Sequence, residues 1–166
     1  MPLLLSFSGC RRLLAIALSL GMVAQALNAC AQPSKLPTVS AHFVGANGEK
    51  SPTYKLEVCA TDGERSLGLM YRRELPETEG MIFLFPDERE NTFWMKNTYI
   101  PLDMVFVDKD KRIVGILENV PPLNEAPRTV GKLSMYVVEF AAGVTRKHQV
   151  SEGAKLVLDG SLPEAR

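Results

Sequence analysis

Apolar and polar residues alternate with a period of two through most of the chain after residue 37, a pattern typical of β-strands. Seven runs carry this pattern or a short continuous apolar variant of it, and turn residues separate them: "TVSAHFVG", "TYKLEVCA", "GMIFLFP", "PLDMVFVD", "RIVGILENV", "SMYVVEFAAG" and "AKLVLDG". Such spacing is typical of antiparallel all-β folds. We therefore predict a mainly β domain over residues 38–160, a compact antiparallel β-sandwich or small barrel with one short packed helix.

The predicted helix lies in "TDGERSLGLMYRREL", residues 61–75. Thr61 is followed three residues later by Glu64, the pairing of a capping box. Leu67, Met70 and Tyr71 then share one helical face at spacings of three and four. Gly68 costs such a helix about 1 kcal/mol relative to alanine, which close packing against another backbone would justify. A second helical turn fits residues 143–149.

The first thirty residues have the layout of a signal peptide. Arg11 and Arg12 precede the apolar run at 13–24, which is shorter than the roughly 20 residues of a membrane-spanning helix. "LNAC" at 27–30 resembles a bacterial lipobox, in which Cys30 becomes the lipidated first residue of the mature protein. The sequence therefore predicts export to the periplasmic side of a bacterial cell envelope, with attachment to the membrane through Cys30.

Two other processing outcomes stay open. "ACA" at 29–31 also fits ordinary signal peptidase, which would release a soluble exported protein, and an uncleaved leader would act as a membrane anchor. In each case "AQPSKLP", residues 31–37, is a small, polar, proline-containing segment that we interpret as a flexible tether.

Charge and motif content narrow the function classes. The chain has 19 basic and 19 acidic residues and no basic stripe with interleaved aromatic residues, so nucleic-acid binding is not expected. HExxH, CxxC, GxSxG and phosphate-binding glycine loops are all missing from the sequence. We expect no cofactor, and the sequence does not predict an oligomeric state.

Four ordered motifs identify a family resemblance: "GLMYR", "GMIFLF", "FWMKNT" and "IPLDMVFVD". Together with the later "YVVEFAAG" and "EGAKLVL", they resemble the domain of unknown function 192 family over about residues 54–158. The resemblance implies a compact β domain that is commonly exported or lipid-anchored. It implies no activity, because the family has none attached to its name.

Five residues around the only tryptophan form a candidate polar cluster: Arg72, Trp94, Asn97, Thr98 and Asp103. One interpretation is structural, with a buried Asp103 paired to Arg72 and a turn at Asn97-Thr98, because a buried charge needs a partner. The other is a shallow pocket for a small polar or sugar-like ligand, in which Trp94 offers a stacking face.

Two further functions compete with a binding or scaffolding role. Soft thioethers bind Cu(I), and four methionines within the block that resembles the family could serve a periplasmic copper carrier: Met70, Met81, Met95 and Met104. An enzyme acting on envelope glycans would need paired carboxylates, for which Asp103 or the acidic loop at 86–92 are the candidates. We favour a non-enzymatic binding or scaffolding module at the cell envelope.

Overall fold

Seven strands and two short helices make up residues 35–166, the part of the chain that the computed structural model describes. The predicted signal peptide, Cys30 and the first four tether residues lie outside it. The elements are β1 (Thr38–Val44), β2 (Tyr54–Cys59), α1 (Asp62–Leu67), β3 (Glu79–Glu90), β4 (Leu102–Val107), β5 (Ile113–Val120), β6 (Leu133–Ala141), α2 (Val144–Lys147) and β7 (Lys155–Asp159). None of the helices within residues 35–166 is long and apolar enough to cross a membrane.

The strands form a single curled sheet in the order β5-β4-β6-β3-β2-β1-β7, which makes a half-barrel. The mainly β prediction is confirmed. Neighbours are antiparallel except for β2 and β3, which run parallel and are joined by the crossover that contains α1. At one end the two sheet edges approach each other, through a bridge between Arg112 and Lys155.

Both faces of the central strands are buried, which explains their continuous apolar runs. A first cluster on one face includes Leu56, Ile82, Val105 and Phe140. A second cluster on the other face includes Met81, Phe83, Met104 and Phe106. Consecutive residues of a strand therefore face different clusters. An acidic residue within one of these strands must also face one cluster or the other.

The predicted helix over 61–75 is too long, because α1 ends at Leu67. The capping box is confirmed: the Thr61 hydroxyl accepts from the backbone N–H of Glu64, whose carboxylate accepts from the backbone N–H of Thr61. Gly68 then has a φ of 46°, which is unfavourable for other residues, and a Cβ there would lie 3.2 Å from the Phe83 ring. A packed ring, rather than a backbone, requires this glycine.

The sequence suggested that the acidic segment at 86–92 is a loop, but most of it belongs to a strand. β3 continues to Glu90, and its register against β6 shifts between Leu84 and Arg89. Such an irregularity bends a strand and redirects its side chains. The bend separates the buried first half of β3 from an exposed, charged second half.

Candidate functional site

A cavity of about 390 Å³ lies between α1, the middle of β3 and the segment at 92–98. Its walls are mainly apolar and aromatic: Leu69, Met70, Phe83, Phe85, Phe93 and Trp94. Three of the motifs that carry the family resemblance supply these walls, "GLMYR", "GMIFLF" and "FWMKNT", and "YVVEFAAG" supplies Glu139. We call this space the Trp94 cavity.

The rings of the aromatic wall pack edge to face. Phe93 lies with its ring centre 5.1 Å from that of Phe83, 6.2 Å from Phe85 and 6.0 Å from Phe106, nearly perpendicular to each. Edge-to-face pairs are favourable beyond their burial alone. The Arg89 guanidinium stacks 4.9 Å from the centre of the Phe85 ring at the rim of the cavity. The wall therefore presents a continuous apolar surface with a cation at its edge.

Arg65 fixes the α1 side of the cavity. Its guanidinium donates to the carbonyl oxygens of Ala60 at 2.8 Å and Leu84 at 2.7 Å, and to the carboxylate of Asp62 at 2.6 Å. It also donates to the carbonyl oxygen of Arg166 at 3.0 Å. These acceptors use most of the N–H groups of its guanidinium. Arg65 therefore positions the wall and has few N–H groups left for a ligand.

Glu139 is the unusual residue of the site. It lines the cavity, is 4% exposed, and lies on β6 between its cross-strand partners Met81 and Met104. Its carboxyl group has no hydrogen-bond or ion-pair partner among residues 35–166. Burial therefore raises the pKa of Glu139 to about 8. At neutral pH the group is mostly protonated and can both donate and accept a hydrogen bond.

The predicted pairing of Arg72 with Asp103 is wrong. The Arg72 guanidinium binds the two carboxylate oxygens of Glu57 at 2.7 and 2.6 Å. Asp103 pairs with Phe140 on β6 and so faces the first cluster, whereas Glu57 pairs with Met81 of the second. The sheet therefore lies between the two predicted partners.

Asp103 is fully buried, as expected, but backbone groups and a hydroxyl satisfy it. Its Oδ1 accepts from the backbone N–H of Asn119 at 2.9 Å. Its Oδ2 accepts from the backbone N–H groups of Gly143 and Thr145, both at 3.0 Å, and from the Thr145 hydroxyl at 2.7 Å. These bonds connect β4 to β5 and to the start of α2. Asp103 is structural, and its carboxylate is not accessible to a glycan.

The remaining residues of the predicted cluster divide between the cavity and the adjacent turn. Trp94, 50% exposed, and Thr98, which is buried, both line the cavity. Thr98 donates to the carbonyl oxygen of Lys96, the local bond expected of a turn. Asn97 has a φ of 52° and donates instead to the Tyr71 hydroxyl at 2.9 Å, outside the cavity lining.

The four methionines do not share one environment. Three are fully buried in the second cluster: Met81, Met95 and Met104. Met70 lines the cavity, and its sulfur contacts the Asn97 amide at 3.9 Å. Within residues 35–166 no three His, Cys, Asp or Glu side chains group as metal ligands. Copper binding through thioethers stays a prediction.

The carboxylates of the 86–92 segment lie outside the cavity lining. Glu88 accepts from the backbone N–H of Lys109 at 3.2 Å, and Glu90 accepts from the Thr129 hydroxyl at 3.2 Å. Asp87 is exposed on the same half of β3. These residues connect β3 to neighbouring loops, and they are not a carboxylate pair across the cavity.

Sequence reasoning missed Glu139 and the phenylalanine wall. A signal for Glu139 was present, since it is the only charged residue in the otherwise apolar strand "YVVEFAA". An acid at such a position is buried by its strand whichever face it takes. No local signal indicated that Phe85 and Phe93 meet, because their contact depends on the bend in β3.

Comparisons with known proteins agree on the family and the fold. The family model for domain of unknown function 192, described as uncharacterized ACR, matches residues 43–158. A solved structure from Sinorhizobium meliloti 1021, titled as a putative transcription regulator, is 35% identical with a TM-score of 0.73, covering 78% of this chain and 100% of that one.

A second solved structure is similar, a protein of unknown function from Novosphingobium aromaticivorans DSM 12444. It is 35% identical with a TM-score of 0.69, covering 75% of this chain and 87% of that one. No curated protein matches the chain. The matched region contains every residue of the Trp94 cavity.

Proposed function

The chain belongs to the domain of unknown function 192 family, and we propose that it acts as a non-enzymatic small-ligand binding module at the bacterial cell envelope. The observation that carries this proposal is Glu139, a buried carboxyl group that lines an aromatic cavity and has no hydrogen-bond or ion-pair partner among residues 35–166. A hydrogen bond made in an apolar surrounding contributes to binding. A ligand in the cavity that hydrogen-bonds to Glu139 would supply the partner that this carboxyl group lacks among residues 35–166.

The chemistry of the cavity favours a neutral, sugar-like ligand. Its volume of about 390 Å³ lies within the usual range of small-molecule sites. The apolar C–H face of a sugar can stack on Trp94, while a ring hydroxyl can bond to the protonated Glu139. Besides Glu139, the polar residues of the lining could bond to the other hydroxyls of a sugar: Asp62, Arg65, Ser66, Arg89, Thr92, Thr98 and Glu125.

The proposed location depends on the leader. The lipobox at 27–30 would place the mature protein on a membrane through Cys30. Replacing Cys30→Ser should move the protein from the membrane fraction to the soluble periplasmic fraction. If the distribution between the two fractions does not change, attachment does not depend on that cysteine.

Trp94 is the only tryptophan, so its fluorescence reports directly on the cavity. Titration with glucose and N-acetylglucosamine should give a saturable change in emission for at least one of these sugars. Glu139→Leu should weaken that binding about tenfold, because it removes one hydrogen bond inside an apolar site. Glu152→Leu, the same change at an exposed glutamate outside the lining, is the matched control and should bind as well as the unaltered protein.

Two results would contradict the proposal. One is an emission and a melting temperature that neither sugar changes. The other is equal binding by the unaltered protein and Glu139→Leu, which would remove Glu139 from the site.

A further inference from the structure

Six large hydrophobic side chains are exposed within residues 35–166, and five of them surround the loop at 94–99. We call these five the aromatic face: Leu67, Tyr71, Trp94, Tyr99 and Leu123. The rings of Tyr71 and Tyr99 are 6.3 Å apart, Leu123 donates its backbone N–H to the Thr98 carbonyl, and Leu67 and Trp94 line the same cavity. The sixth, Leu133, begins β6. Exposed apolar groups gathered in one place indicate an interaction surface.

The backbone holds two of these side chains in water at a conformational cost. Tyr71 has a φ of 65° and Leu123 a φ of 54°, in the left-handed region that bulky residues rarely adopt. Backbone bonds to Asn97 and Thr98 hold these conformations, at 2.8 Å from Tyr71 and 3.0 Å from Leu123. Strain maintained by its surroundings is a feature of functional sites. The exposure is therefore part of the fold.

The face combines aromatic residues with cations. The Arg73 guanidinium lies 5.3 Å from the centre of the Tyr99 ring, and the Lys96 ammonium lies 5.4 Å from that of Trp94. Neither cation has an ion-pair partner within residues 35–166. Tryptophan and tyrosine favour the membrane–water interface, and lysine and arginine favour anionic lipid headgroups. The composition fits a lipid surface.

The tether enters the domain on the side of the sheet that holds the second cluster. Leu36 packs against the second cluster, which also contains Leu69 and Met95 and is covered by Ile100. Leu36 is six residues after Cys30, so the lipidated residue could lie at most roughly 20 Å away along an extended chain. An anchor on Cys30 would hold this side of the domain close to the bilayer.

We infer that the aromatic face rests on the anionic surface of the membrane to which the protein is attached. Trp94, Tyr71 and Tyr99 lie at the level of the headgroups, and Arg73 and Lys96 contact lipid phosphates. The aromatic face shares Leu67 and Trp94 with the Trp94 cavity. The inference does not depend on sugar binding, and it is tested without sugar.

The test uses the full chain in vesicles of phosphatidylcholine and phosphatidylglycerol, with and without bromine on the phosphatidylcholine acyl chains. Trp94 emission should shift to shorter wavelength and be quenched by the brominated lipid. The double variant Tyr71→Asn, Leu123→Asn should lose at least half of the quenching, since asparagine keeps the left-handed backbone but not the apolar side chain. Leu133→Asn is the matched control and should be quenched like the unaltered protein.

Charge is tested in the same assay. Arg73→Glu with Lys96→Glu should reduce quenching severalfold, and added salt should reduce it for the unaltered protein. Melting temperatures of all variants confirm that they fold. If the protein floats with the vesicles but its Trp94 emission is not quenched, the inference is overturned. The face would then be assigned to a protein partner. Equal quenching in the Tyr71, Leu123 variant would overturn it as well.

Discussion

Two buried carboxyl groups on adjacent strands of one sheet have opposite surroundings. Asp103 on β4 faces the first cluster and accepts four hydrogen bonds. Glu139 on β6 faces the second cluster and the Trp94 cavity, without a partner among residues 35–166. Asp103 stabilises the fold, whereas Glu139 is available to a ligand.

The largest expected consequence of this difference is a pH-dependent stability. The folded-state pKa of Glu139 is about 8 and its ordinary value is 4.5. Between these values the unfolded chain has lost the proton and the folded chain retains it, so the unfolding free energy falls as pH rises from about 4.5 to about 8. The loss is at most roughly 5 kcal/mol, from about 1.4 kcal/mol per pH unit. Urea denaturation across this range measures it.

Glu139→Gln is the control for that measurement, because glutamine has nearly the same side-chain shape as glutamate but no carboxyl group to titrate. Its unfolding free energy should be nearly constant between pH 5 and 8, where the unaltered protein loses stability. The other carboxylates are common to both proteins, so their contributions cancel in the difference. Parallel curves for the two proteins would show that Glu139 is ionised normally and has a partner.

Asp103→Asn should have the opposite effect from Glu139→Gln, because the Asp103 carboxylate is fully hydrogen-bonded in the folded protein. An amide has one acceptor oxygen, and its NH₂ group would oppose the N–H donors of either Asn119 or Gly143 and Thr145. We expect a loss of about 3 kcal/mol in the unfolding free energy at pH 7. Glu139→Gln at the same pH should cause no loss. An Asp103→Asn protein as stable as the unaltered one would refute the structural role.

A double-mutant cycle tests the corrected ion pairing. Arg72 binds Glu57 with both side chains about one-third exposed, so Arg72→Met should cost only about 1 kcal/mol after solvent screening. Since Arg72 and Asp103 are on opposite sides of the sheet, Arg72→Met and Asp103→Asn should add to within about 0.5 kcal/mol. Denaturation midpoints of the two single variants and the double variant give the coupling. A larger coupling would restore the pairing that the sequence suggested.

The strands of this protein could be predicted from the sequence because their signals are local. Alternation and turn residues located all seven, and the capping box located the start of α1. The end of α1 also has a local signal, because Gly68 is the C-cap residue with a φ of 46°. The predicted helix was too long because Gly68 was taken as an interior residue. Only the position of Gly68 beside the Phe83 ring depends on the crossover to β3.

The site could be predicted only in part, for the same physical reason. "LDMVF" and "VEFAA" both place one acid in an apolar strand, and neither segment indicates which acid finds donors. The donors for Asp103 come from Asn119, Gly143 and Thr145, which are distant in sequence. Trp94 was predicted as a candidate from its neighbours, and its place at a cavity depends on the bend in β3.

The smallest expected effect concerns Trp94, which belongs with Glu139 on the binding side of the comparison. Trp94 is half exposed, so Trp94→Gln should change the unfolding free energy by no more than about 0.5 kcal/mol. Met95→Ala, at the next position, removes a fully buried side chain and should cost about 3 kcal/mol. Circular dichroism in urea measures both. If Trp94→Gln proves as destabilising as Met95→Ala, Trp94 serves the core, and the cavity loses its stacking face as an argument for a ligand.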